Sequence, residues 1–94
     1  MKESAVEAKL VRLVKAHGGL CLKWVSPGHV GVPDRIVILP GGRVYFVELK
    51  TAEGRLSPAQ VVCHKELRKR GAEVVTLRGA DEVARFVEEV CREV

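Results

Sequence analysis

The chain of 94 residues contains no run of about 18 apolar residues, so no helix of it is expected to span a bilayer. Its opening, "MKESAVEAKLVRL", carries acids and lacks the apolar stretch of a secretory signal, so none is expected there. Cys21, Cys63 and Cys91 are far apart, and no CxxC or Cys/His zinc spacing occurs. They read as reduced thiols, mostly in the core of a cytoplasmic protein. Linkers, repeats and low-complexity tracts are missing, which makes residues 1–94 one domain. A chain this short buries only roughly 60–65% of its unfolded surface, and a dimer would bury more. Strong charge is missing too: the formal net charge of +4 permits a polyanionic partner without demanding one. The cations do cluster, however, with Lys65, Arg68, Lys69 and Arg70 together in "HKELRKRG".

What is present is a clear alternation of periods. Ser4–His17 has helical spacing in Val6, Leu10, Leu13 and Val14, with Ser4 as N-cap and Glu7 completing a capping box. Leu20–Val25 is a short strand with Leu20, Leu22 and Trp24 on one face. Asp34–Leu39 and Arg43–Lys50 are strands joined at Pro40-Gly41-Gly42. Ser57-Pro58 opens a second helix, with Gln60 in a second capping box and a stripe of Ala59, Val62 or Cys63, and Leu67. Gly71 ends that helix, Glu73–Leu77 is a β-branched strand, and a third helix runs from Gly79 to about Arg92. The order αβββαβα specifies an α/β fold, one mixed sheet with helices on its faces.

Charges at the ends of the central hairpin break the pattern. Pro33-Asp34 opens its first strand and Glu48-Leu49-Lys50 closes the second. A three-residue loop at Pro40-Gly41-Gly42 sets Ile38 against Val44, Ile36 against Phe46, and Asp34 against Glu48. Opposed residues have Cβ atoms roughly 4.5–5.5 Å apart, and Lys50 shares their face. Two facing carboxylates repel unless a proton or cation intervenes. Oxygen ligands at that spacing suit Mg²⁺ or Mn²⁺, with the Leu49 carbonyl as a further oxygen, and the nearby ammonium suits a phosphate. The set fits metal-assisted phosphodiester hydrolysis. The structural alternative is an ion pair of Lys50 with Asp34 or Glu48 near the sheet edge.

Pro33-Asp34 followed by Glu48-Leu49-Lys50 matches the PD-(D/E)XK signature of the restriction-endonuclease-like superfamily, whose core has this element order. "GVPDRIVIL", "FVELK" and "LSPAQ" together resemble the VRR-NUC (virus-type replication-repair nuclease) family over nearly the whole chain. The resemblance implies metal ligands at Asp34, Glu48 and the Leu49 carbonyl, and a catalytic lysine at Lys50. It also implies Glu7 as the helical acid that binds or orients the metal, and Gln60 as the residue that completes the site. Glu7 and Gln60 have a competing role, since each is the N3 residue of a capping box. Ser26 and His29 could touch DNA from their loop. His64, one turn after Gln60, could reach the same edge, though it reads first as a helix-surface histidine.

The implied function is a Mg²⁺- or Mn²⁺-dependent DNA endonuclease acting on branched DNA such as four-way junctions or flaps. The rivals are an archaeal-type Holliday junction resolvase and a non-catalytic DNA-binding module on the same fold. A two-fold junction suits a homodimer, for which the third helix offers Ala80, Ala84 and Phe86 away from its core stripe of Val83, Val87, Val90 and Cys91.

Overall fold

The computed structural model describes residues 1–92 and contains the seven expected elements in the expected order. The helices are α1 (Glu3–Ala16), α2 (Pro58–Lys69) and α3 (Gly79–Cys91). The strands are β1 (Leu20–Lys23), β2 (Arg35–Ile38), β3 (Val44–Lys50) and β4 (Val74–Arg78), arranged in that order across one sheet. β1, β2 and β3 are antiparallel neighbours; β4 joins β3 in parallel after the α2 crossover. No helix among the described residues is long and apolar enough to cross a membrane.

The hairpin takes the register that apolar matching requires. Ile38 pairs with Val44 and Ile36 with Phe46. The Leu39 N–H donates to the Arg43 carbonyl, closing a loop of Pro40, Gly41 and Gly42. Both glycines have positive φ, near 90° and 83°, which a side-chain-bearing residue would adopt only with strain.

Strand alternation then divides the sheet into two unlike faces. Val37, Leu39, Val47, Leu49 and Leu77 point to one side and pack on α1 and α3. Val6, Leu10 and Val14 of α1 are wholly buried there, one every four residues, as a core-facing helical stripe must be. Phe86 belongs to this core as well. It was expected to face outward from α3 as part of a dimer surface, but it packs edge-on against Tyr45 with ring centroids 5.4 Å apart. Phe86 lies three residues after Val83 and four before Val90, so the helical period itself places it on the core side of α3.

The opposite face carries Leu20, Leu22, Ile36, Ile38, Val44 and Phe46 and is covered less completely. Leu20 is 57% exposed and Leu22 45%. α2 lies on the β4 side and buries Cys63 and His64, whereas Val62, a candidate for its stripe, is exposed. Cys21 and Cys91 are half-buried, so only Cys63 is fully in the interior; all three are free thiols.

Helix starts differ in one respect. Ser57 and Gln60 form the expected capping box on α2. On α1 the N-cap is Lys2, whose carbonyl accepts from the N–H groups of Ala5 and Val6, and no side chain caps the end. Ser4 is therefore inside the first turn, and the Ser4–Glu7 box does not form. An ion pair to Arg35 holds the Glu7 carboxylate instead.

Candidate metal centre

Asp34 lies just before β2 and Glu48 lies in β3, on the less covered face. The β2–β3 register, Arg35 to Val47, brings them opposite each other. Asp34 Oδ2 accepts from the Leu49 N–H at 2.8 Å, which fixes its carboxylate at the sheet end. Glu48 is 1% exposed, an unusual place for an acid. The third carboxylate is Glu3, from the first turn of α1. One carboxylate oxygen from each of Glu3, Asp34 and Glu48 lies within 4.8 Å of the other two.

Three further side chains meet Glu48. Lys50 Nζ is 3.6 Å from Oε2. Gln60 Nε2 donates to the same oxygen at 3.0 Å, while its Oε1 accepts from the Ser57 N–H at 2.9 Å. Gln60 thus serves the helix cap and the acid together, so the two expected roles are not exclusive. His64, one turn further along α2, brings Nε2 to 3.8 Å from Glu48 Oε1. It is wholly buried, contrary to its expected place on the helix surface. The reason is a backbone-to-backbone approach. Gly31 has φ +86°, and a Cβ there would lie 2.4 Å from the Ala59 carbonyl oxygen. The loop before Asp34 can therefore press directly on the start of α2 and roof over His64.

The electrostatics follow from burial and crowding. Burial, then the Asp34 charge and a hydrogen bond with Asp34, push the Glu48 carboxyl up to about 8; Lys50 opposes the shift and Glu3 adds to it. His64 is held below its ordinary value by burial and by Arg68, so it is neutral near pH 7. Among the described residues, Glu48 Oε1 has no hydrogen-bond partner. An orphaned buried carboxylate oxygen facing two more carboxylates fits a hard divalent cation, which satisfies all three at once.

Among the residues expected at the site, Asp34, Glu48, Lys50 and Gln60 converge, and Leu49 contributes its N–H to Asp34. Glu7 does not join the three carboxylates. Its Oε2 accepts from Arg35 Nε at 2.7 Å and faces Lys23 Nζ at 3.4 Å, an arrangement that ties α1 to β1 and β2. The acid that α1 brings to the cluster is Glu3, one helical turn earlier on the same side. That i, i+4 relation to Glu7 was its only signal in the sequence. Ser26 and His29 border a separate pocket beside Trp24.

Known proteins share this arrangement of sequence and fold. The VRR-NUC domain profile matches residues 2–81. The protein named "Putative nuclease p44", from Acyrthosiphon pisum secondary endosymbiont phage 1, is 41% identical over 81 residues, covering 86% of this chain and 87% of its own. A solved structure described as a VRR_NUC domain superposes with a TM-score of 0.84 at 34% identity, over 92% of this chain and 94% of that one. With the profile spanning most of its length and the fold matching throughout, the chain belongs to the VRR-NUC family.

Proposed function

We propose that the chain is a Mg²⁺- or Mn²⁺-dependent endonuclease that hydrolyses phosphodiester bonds in branched DNA, acting in the cytoplasm as a homodimer of single-domain chains. The observation that carries the nuclease reading is the buried Glu48 with its unpartnered Oε1, set against Asp34 and Glu3. The family and the phage relative's name point the same way.

In this reading Glu3, Asp34 and Glu48 hold the cation, with the Leu49 carbonyl as a further oxygen. The bound ion would supply Lewis acidity, withdrawing charge from a phosphate oxygen and making a water easier to deprotonate. Lys50 keeps an ammonium beside the reacting phosphate, where it offsets the negative charge that builds as water oxygen attacks phosphorus and the leaving oxygen departs. Gln60 holds the Glu48 carboxylate in one rotamer, because its own amide is pinned by the α2 cap. His64 excludes water from the far side of Glu48. Glu7 supports the site at one remove, by fixing Arg35 and the α1–sheet angle.

Branched DNA and dimerisation are tested together. Purified protein is incubated with Mg²⁺ or Mn²⁺ and a panel of duplex, flap, fork and four-way junction DNAs, and its mass is measured by light scattering. Paired cuts in junctions by a particle of twice the chain mass support the reading. A monomeric mass with single nicks spread over all substrates removes the dimer and the branch selectivity and leaves a simple nuclease.

A further inference from the structure

Beside the carboxylates, on the same side of the sheet, lies a pocket that the hydrolytic chemistry does not use. Its volume is about 330 Å³, at the low end of the roughly 300–1,000 Å³ of small-molecule sites. Trp24, Cys63 and Leu67 form its apolar walls; Ser26, Glu66 and Arg70 stand at its polar edge. We infer that this pocket receives one unstacked nucleobase of the DNA strand being cut, a reading that rests on the nuclease assignment for the presence of DNA.

Position is the first argument. The Trp24 N–H donates to the Asp34 carbonyl at 3.0 Å, and Lys23 pairs with Arg35, so Trp24 stands opposite Asp34. Asp34 in turn stands opposite Glu48. With strands roughly 4.8 Å apart, the Trp24 backbone is about 5 Å from that of Asp34 and about 10 Å from that of Glu48. Strand alternation points all three side chains to one face. A strand whose phosphate sits at the carboxylates therefore has its neighbouring nucleotides, about 3.4 Å apart when stacked and farther when splayed, within reach of the indole.

Chemistry is the second. A base offers a flat π-face and an edge of donors and acceptors. Trp24 offers a flat surface already braced by Phe46, their centroids 5.2 Å apart and tilted by 46°. The Ser26 hydroxyl, the Glu66 carboxylate and the Arg70 guanidinium supply both donors and acceptors at the edge, with Glu66 and Arg70 held to each other at 3.0 Å. Charge is the third. Lys65, Arg68, Lys69 and Arg70 outnumber the single acid of that helix, Glu66, so the surroundings favour a polyanion. A neutral lipid or metabolite would have no use for that surplus. Base stacking needs an unpaired nucleotide, so the pocket gives a physical basis for preferring forks and junctions over intact duplex.

Trp24 is the sole tryptophan, so its emission reports on the pocket directly. The probe is a forked duplex with unpaired arms, compared with the same fork carrying abasic residues at the first three arm positions, both in Ca²⁺. We expect the base-containing fork to quench Trp24 and to bind about tenfold more tightly than the abasic fork, the scale of one lost stack. Trp24→Leu and Leu67→Arg should bind the two forks alike. Equal affinity of the wild-type protein for both forks, or unchanged Trp24 emission, overturns the inference. So does a Trp24 that acrylamide cannot reach in the free protein, which would assign this face to a second copy of the chain. Cleavage of the base-containing fork in Mn²⁺, run in parallel, keeps the two readings apart. Cleavage with equal fork affinities removes the pocket alone, and base-dependent binding without any cleavage removes the nuclease alone.

Discussion

Raising the pH should destabilise the metal-free protein in a window set by Glu48. The folded chain holds a proton on this carboxyl up to about pH 8, while the unfolded chain releases it near the ordinary value of 4.5. Between those values the native state binds more protons than the unfolded state, so stability falls as pH rises, by about 1.4 kcal/mol per unit where the difference is one full proton. The cleanest interval is pH 6.5 to 8. His64, whose value is lowered, contributes only below its ordinary 6.5, and the three thiols, whose values are raised, contribute only above the interval. Across it the loss is about 2 kcal/mol, or roughly 8–16 °C in Tm for a domain of this size. Thermal melts in EDTA at both pH values measure it. Glu48→Gln keeps the shape and removes the titration, so its Tm should stay level across the interval and exceed that of the wild type at pH 8. Saturating Mn²⁺ should restore the wild-type Tm at pH 8, because ligand binding stabilises only the folded state. A wild-type Tm that is flat or rises from pH 6.5 to 8, with Glu48→Gln running parallel, would refute the reasoning.

Other substitutions separate site from scaffold. Glu3→Ala should weaken Mn²⁺ binding, measured by calorimetry, with a nearly unchanged melt. Glu7→Ala should do the reverse, costing about 1–3 kcal/mol because Arg35 loses its partner in a half-buried position. Lys50→Ala should abolish cleavage while leaving circular dichroism intact, since groups that act as a unit fail singly. Phe86→Ala should cost about 3–5 kcal/mol in denaturant unfolding, which an exposed dimer-contact residue would not.

The hairpin was legible because its apolar residues fit only one way. Ile36 and Ile38 match Phe46 and Val44 in the observed register, and that register carries Asp34 to Glu48. Lys50 followed from the strand period, whereas the capping signature gave Gln60 only its helix-end role and its place at the site came from the family resemblance. Glu3 was not legible, because Ser4 is such a good N-cap that it hides a helix beginning earlier. First-turn N–H groups of α1 need no serine, and Glu7 finds a stronger partner in Arg35. His64 was misread for a different reason. Its burial depends on Gly31 bringing a distant loop against α2, a tertiary approach with no local pattern. Phe86 was legible but misplaced: its spacing from Val83 and Val90 puts it on the core face of α3, where it meets Tyr45.

Glu3, Asp34 and Glu48 are proposed as the metal centre of a DNA-cutting site. The most direct test of this proposal is cleavage of a junction or fork by the wild type and by Asp34→Asn, each in Mn²⁺ and in EDTA. The wild type should cut in Mn²⁺ alone, with Asp34→Asn folded, DNA-binding and inactive. Cleavage in EDTA, or by Asp34→Asn at the wild-type rate, would contradict it.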